Sequence, residues 1–308
     1  MNDEACERGL RVLLHLVRRS AAFELPAMLV LAARLRALLA VPVARRDPRA
    51  VPQFLRKLDS DCARLFGTRF EDLATVTTDV ATPTLDIVLE QLDGWSTALL
   101  SRADDPNLHL EVGRHLTLLG AADRARPHFE SFGQLDPARS GFARGWYLLA
   151  SLLDGHVDEC ARLLRQTRDA GDFQYADGDY YLDIYEAWSD ALNGVLRAFY
   201  KVSARLLDAP PDDLRGASFV YFELALAAAA TARLDASRRS LERVVATDLE
   251  PLYACAVAAH PAFDALWTDD ATRASVESWY ANAASAFSLP ERAIVRSTVA
   301  RRLSTLAR

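Results

Sequence analysis

The sequence predicts an all-α protein, a set of stacked antiparallel helical hairpins behind an N-terminal helical region. Three observations predict this. Alanine, leucine and arginine abound, β-branched runs are scarce, and only 13 glycines and 13 prolines interrupt 308 residues, a composition that favours helix nearly throughout. Apolar residues recur at spacings of three and four, the period of one helix face. Small residues recur where neighbouring helices must approach each other. With 51% hydrophobic and 25% charged residues, the chain has the proportions of an ordinary folded protein, long enough for two compact domains or one elongated solenoid.

Taken in order, Asp3 is placed to cap a first helix running to Ser20, with Leu10, Leu13, Leu14 and Val17 on one face. Pro26 suits the first turn of a second helix, Leu25–Leu39. The prolines and charges of Val41–Arg49 make a loop. A third helix spans Ala50–Phe66, with Phe54, Leu55, Leu58, Cys62 and Leu65 inward. Gly67–Val80 has no clear period. Thr82-Pro83 then opens a helix that runs to Arg102 and stops at Asp104-Asp105-Pro106. These breaks divide the chain into an N-terminal all-α region (1–103), an array of hairpins (104–251) and C-terminal helices that cap the array (252–308).

The best-formed hairpin is Leu108–Pro137. Gly113 precedes the turn glycine Gly120 by seven residues, Ala125 follows it by five, and Phe129, Phe132 and Pro137 come after. Small residues on facing helices let the backbones approach, aromatic rings fill the space beside them, and proline ends the second helix. This segment resembles a tetratricopeptide repeat, whose pattern places small residues at the positions of Gly113 and Ala125 and proline at that of Pro137. His109 departs from it, standing where the family has an aromatic residue.

A second unit lies 35 residues on, with Gly155 for Gly120, Cys160 for Ala125 and Leu164 for Phe129; Leu148 and Asp172 stand where Gly113 and Pro137 did. A third, Asp179–Pro210, keeps Ala198 and Pro210 but has Glu186 at the first small position. A fourth, about Phe219–Pro251, carries Ala225, Ser237, Leu241 and Val244. Two further helices follow, Asp270–Phe287 and Pro290–Leu306, and Leu252–Trp267 is similar to the ending of many such arrays. The resemblance implies a solenoid whose first helices line a concave groove, and a role in binding other proteins or peptides.

Charge is unevenly spread. Residues 1–60 hold 11 Lys/Arg against 6 Asp/Glu (+5), residues 291–308 hold five arginines against Glu291 (+4), and the net charge of −6 therefore leaves −15 for the middle. So acidic a middle argues against nucleic acid or an anionic membrane as partner and is compatible with a basic one. Lys57 and Lys201 are the only lysines; arginine in their place, with the high alanine content, is the bias of a GC-rich bacterial genome. Cys6, Cys62, Cys160 and Cys255 form no CxxC pair and read as buried free thiols of a reducing compartment. The acidic start Met1–Glu4 is unlike a secretory signal, and the apolar stretch Leu25–Ala33 falls short of the roughly 20 residues of a membrane span. The expected location is the cytoplasm.

Catalytic signatures are lacking: neither lysine follows a glycine as a phosphate loop requires, and GxGxxG, GxSxG and HExxH are absent. His109 and His115 lie six apart, about 240° around a helix, so they do not share a face as metal ligands would. Asp177-Gly178-Asp179 lacks the other ligands of a calcium loop. No catalytic residue, metal or cofactor is assigned, and whether the chain is an enzyme stays open.

The most informative local feature is the helix carrying Asp179, Asp183, Glu186 and Asp190. Their spacings of 4, 3 and 4 line them on one stripe, opposite Tyr181, Ile184, Tyr185, Trp188 and Leu192. Facing the groove, the stripe would draw an Arg- or Lys-bearing peptide; facing outward, it is a solvated surface. The leading reading is a scaffold, adaptor or regulator that binds a protein or peptide. One alternative is an all-α enzyme or small-molecule sensor with a pocket between the N-terminal region and the array. The other is a self-assembling structural protein whose basic ends meet acidic middles. If the stripe carries binding, reversing the charge of Asp183 and Glu186 abolishes uptake of a basic peptide; titration calorimetry showing undiminished uptake removes the idea.

Overall fold

A computed structural model describes residues 1–19, 41–75, 84–171, 178–210, 218–244 and 251–306, together with 28, 31, 32, 34, 35, 38 and 39. The helix starts expected at Pro26 and Thr82-Pro83, and Asp172 and Asp177, lie outside these residues. Among the described residues there are sixteen α-helices and no strand. Consecutive helix pairs pack against each other.

The N-terminal region comprises α1 (Asp3–Arg19), α2 (Ala50–Phe66), α3 (Phe70–Leu73) and α4 (Thr84–Leu99). Asn2, not Asp3, caps α1: its Oδ1 accepts from the Ala5 N–H at 2.9 Å. Leu10, Leu13, Leu35, Leu58, Cys62 and Phe70 form a small core, into which α4 sends Ile87. The rest of α4's apolar surface, Leu85, Val88, Leu89, Leu92 and Trp95, belongs to the larger core of the hairpins. Helix α4 thus ties the two together.

Four hairpins follow: α5 (Pro106–Leu119) with α6 (Ala122–Leu135), α7 (Ser140–Leu153) with α8 (Val157–Ala170), α9 (Gly178–Leu192) with α10 (Arg197–Leu207), and α11 (Ser218–Ala230) with α12 (Leu234–Arg243). Asp105 caps α5 by accepting from the Asn107 N–H at 3.0 Å, ahead of Pro106 at the first helical position. All four turns have one geometry. Each contains a left-handed residue, Gly120 (φ 95°), Gly155 (79°), Gly194 (82°) or Ala232 (57°). The next N–H reaches back five residues: Ala121 to Leu116, His156 to Ser151, Val195 to Asp190 and Arg233 to Ala228, at 2.7–2.8 Å. This is the Schellman closure, which satisfies otherwise orphaned helix-end carbonyls.

Counting from the turn residue, the position seven earlier (Gly113, Leu148, Ala187, Ala225) and the position five later (Ala125, Cys160, Phe199, Ser237) are buried in every hairpin. In two hairpins these positions are joined directly, Ser237 Oγ donating to the Ala225 carbonyl at 2.7 Å and the Cys160 thiol lying 3.8 Å from the Leu148 carbonyl. The third hairpin is in a different register from the one expected: its close-contact residues are Ala187 and Phe199, each one residue beyond Glu186 and Ala198.

The first helices α5, α7, α9 and α11 lie side by side. Helix α13 (Pro251–Ala259), which has no charged residue, is buried from Pro251 to Ala258. It packs on α4 and α5 at the start of the series, while Tyr253 sets its ring 4.1 Å from that of Phe222 on α11 at the end. The chain then passes a 3-10 turn at Pro261–Phe263 and α14 (Asp264–Thr268) into α15 (Arg273–Phe287) and α16 (Arg292–Thr305). Helix α16 returns to the beginning: Arg302 pairs with Asp93 of α4, and Arg124 of α6 donates to the Leu303 carbonyl at 2.8 Å. Helix α13 therefore lies against the first helices, and α16 joins the end of the chain to the start of the hairpin series.

Gly113 shows how tightly the first hairpin closes. A Cβ there would lie 2.7 Å from Cε1 of Phe129. Gly113→Ala should lower stability by about 1–3 kcal/mol, measured by urea unfolding, and Phe129→Leu in the same chain should recover part of that loss. If the two substitutions are additive, the contact is not the cause.

Candidate functional site

The C-terminal ends of the inner helices α5, α7, α9, α11 and α13 converge at the turn end of the hairpins. They surround a cavity of about 620 Å³, lined among others by Gly120, Leu152, Gly155, Trp188, Leu192, Ala230 and His260. Four hairpins contribute to it, and the His260-Pro261-Ala262 turn closes one side. The position of that turn explains Gly120 twice over: the turn needs positive φ there, and a Cβ would meet Pro261 Cδ at 2.8 Å. A volume of this size suits a small molecule or a few residues of peptide.

Two polar groups in the lining lack partners. Trp188 is fully buried, and its indole N–H has no hydrogen-bond acceptor among the described residues. His260 Nδ1 accepts from the Ala262 N–H at 3.0 Å. Burial pushes the His260 pKa down to about 4, so the ring is neutral at pH 7 and its proton sits on Nε2. That second N–H is also buried and without a partner. A buried donor left unpaired costs about 1–3 kcal/mol, and native structures rarely keep two in one place.

The remaining polar lining is acidic. Asp123 is exposed and has no ion pair among the described residues, while Asp154 reaches His156 at 3.0 Å and Arg126 at 3.5 Å. Among the described residues no lysine or arginine lines the cavity. A larger and more open cleft of about 1150 Å³ lies between α15 and α16. Its polar groups are mostly engaged: Arg292 and Arg296 bind Asp264, and the Tyr280 O–H donates to the Pro290 carbonyl at 2.9 Å. Among the buried side-chain N and O atoms of its described lining, only Arg292 Nε, with its guanidinium 4.3 Å over Trp267, has no partner.

The acidic stripe of α9 is placed against second helices. Asp183 binds Arg168 of α8 and Arg205 of α10, each at 2.6 Å, and Glu186 binds Arg168 at 2.8 Å. Asp179 and Asp190 are exposed. The opposite side of α9 carries Ile184, Tyr185 and Trp188 into the core, while Leu192 is 39% exposed at the cavity. Of the hairpin residues expected to serve packing, Ala125 and Phe129 are buried, and Gly120 and Gly155 both pack the turn and line the cavity. Pro137 opens a 3-10 turn ahead of α7.

The histidines take separate roles. His115 is buried beside Trp95, ring centroids 4.8 Å apart, and donates from Nδ1 to the Glu111 carbonyl at 2.9 Å. His109 and His128 set Nδ1 against Nδ1 at 3.0 Å, and His109 Nε2 lies 3.0 Å from the Ala103 carbonyl. The latter contact needs a proton on His109 Nε2, so His128 donates and His109 accepts. The ring centroids are 5.2 Å apart, about what a head-on hydrogen bond between rings gives. Among the described residues no group of three or more His, Cys, Asp and Glu could hold a metal. All four cysteines are buried and unpaired, and burial pushes the Cys62, Cys160 and Cys255 thiols up to about 12. No described helix is long and apolar enough to cross a membrane.

Comparison of the chain with protein-family models, curated proteins and solved structures found no match.

One buried acid stands apart. Glu223 on α11 has the Tyr185 O–H 3.5 Å away, and burial pushes its pKa up to about 8. Between its ordinary 4.5 and about 8 the unfolded chain releases a proton that the folded chain keeps, so stability falls as pH rises through that window. The buried bases act oppositely. Burial lowers His115 to about 3 and both His128 and His260 to about 4, from an ordinary 6.5. Below pH 6.5 the unfolded chain therefore binds protons that the folded chain excludes, and stability falls toward pH 4. With three bases against one acid, the melting temperature should peak near pH 6.5. Glu223→Gln should remove the decline from pH 6.5 to 8, a recovery of about 2 kcal/mol; an unchanged profile would place the titration elsewhere.

Proposed function

We propose that the chain is a ligand-binding protein of the tetratricopeptide-like class, a scaffold or regulator whose partner segment or small molecule occupies the turn-end cavity. The hairpin class is supported by turn residues at 120, 155, 194 and 232 with one closure geometry and one pair of close-contact positions. The single observation that carries the binding reading is the cavity of about 620 Å³ to which all four hairpins and the His260-Pro261-Ala262 turn contribute. Binding along the inner faces of the first helices is less well supported, because α13 lies against α5 and reaches α11 through Tyr253.

Ala230 lines the cavity and is only partly buried, so Ala230→Phe narrows it without entering the closest-packed core. A fragment and short-peptide screen by ligand-observed NMR should find binders that compete with one another and are lost in Ala230→Phe, with the circular dichroism spectrum and melting temperature retained. Binders unaffected by that substitution, or a screen without binders, would overturn the reading.

A further inference from the structure

We infer that the cleft between α15 and α16 is a docking groove for an amphipathic helix of a partner protein, with acidic residues along the edge that meets α16. The groove is separate from the turn-end cavity, and neither reading depends on the other.

Helix packing shows that the gap belongs to the fold. In each of the four hairpins the two helices close on each other, whereas α15 and α16, joined by the short turn Ser288–Glu291, scarcely touch. Each is seated on α13 instead. Helix α15 buries Val276, Tyr280, Ala283 and Phe287, and α16 buries Val295 and Val299. Both helices are therefore anchored from below, and the space between them is held open.

The shape of that space fits a helix. The cleft has a volume of about 1150 Å³ and follows α15 from Glu277 to Ser288 and α16 from Arg292 to Ala300. At the rise of an α-helix this part of α15 is about 16 Å long. A partner helix of that length and about 10 Å across occupies about 1300 Å³, close to the space present. Small side chains line both walls at helical spacing, Ala281, Ala284 and Ser288 on one and Ala293, Ser297 and Ala300 on the other. Such rows receive the side-chain ridge of another helix and let it come close. Most of these residues are exposed, so the groove is open for a helix to enter from the side. One turn from Ser297 on the outer rim of α16, Ile294 is 52% exposed and adds apolar surface.

Charge sets the chemistry of the partner. Helix α16 carries Arg292, Arg296, Arg301 and Arg302 and no acid. Arg292 and Arg296 share Asp264, and Arg302 takes Asp93, so four guanidiniums meet two carboxylates. Arg301, also one turn from Ser297, is exposed and has no ion pair among the described residues. The α16 wall is left positive. The lining acids lie elsewhere, Glu277 on the opposite wall and Glu291 at the turn. A partner helix is therefore steered with its acidic edge toward α16 and away from Glu277.

The test is fluorescence anisotropy of labelled peptides with the full chain in about 50 mM salt, where charge pairing is little screened. The probe is three repeats of Leu-Gln-Gln-Ala-Glu-Gln-Ala, long enough to form a helix with an apolar face and glutamate along one edge. Two controls replace every glutamate by glutamine or by lysine. The glutamate peptide should bind about fivefold more tightly than the glutamine peptide, and the lysine peptide most weakly. Ser285→Trp and Ala300→Trp, at exposed positions on opposite walls, should each weaken the glutamate peptide about tenfold by filling the groove, with circular dichroism and melting temperature retained. Arg296→Gln combined with Arg301→Gln, which leaves Asp264 paired with Arg292, should bring the glutamate preference below about twofold. No binding of the glutamate peptide, or binding that survives both tryptophan substitutions, overturns the groove. Equal binding of the glutamate and glutamine peptides overturns the acidic partner. Sedimentation velocity should show a monomer; a dimer that Ser285→Trp dissociates would make a second copy the occupant and overturn the inference.

Discussion

Burial of α13 is the constraint on which the rest of the structure depends. A nine-residue helix without charge, running from Pro251 to Ala259, has no stable place except one where it is covered on all sides. It is covered by α4 and α5 from the start of the hairpin series, by α15 and α16 from the end of the chain, and by the Phe219 and Phe222 rings around Tyr253. That requirement curves the hairpins around it, brings the His260-Pro261 turn onto Gly120, and gathers the inner helix ends about one cavity.

The turns supply the second condition. Each Schellman closure fixes where a second helix begins relative to the first, so the position five residues beyond the turn and the position seven before it are buried in every hairpin. Within that frame different side chains solve the same packing problem: Gly113 receives the Phe129 ring, Leu148 faces the Cys160 thiol, and Ala225 accepts from Ser237. Ala232 holds the left-handed conformation without being glycine, at a cost of about 1 kcal/mol, which the neighbouring hydrogen bonds offset.

The helices and the first two turns were legible in the sequence because they rest on local signals. Asp104-Asp105-Pro106 marks a helix break, and Gly120 and Gly155 sit at helix ends where only glycine is comfortable. The third and fourth turns were harder to read. Their spacings change from 35 to 39 and 38 residues, and the fourth turn residue is alanine; a third unit placed by ending it at Pro210 lands on Glu186 in place of Ala187. The cavity was not legible at all. Its lining comes from residues as far apart as Gly120 and Ala262, and nothing local to Trp188 or His260 signals a missing partner. The acidic stripe was visible as a pattern, but the arginines that meet it, Arg168 and Arg205, lie on other helices, and helical periodicity carries no information about them.

The contact between the two ends of the series has a consequence for how such a chain can change over generations. An open helical stack gains or loses a unit freely, because each unit touches only its neighbours. Here Arg302 of the last helix grips Asp93 ahead of the first hairpin, and Pro261 rests on Gly120. A duplicated hairpin would drive these partners apart and uncover α13. The number of hairpins is therefore set by geometry.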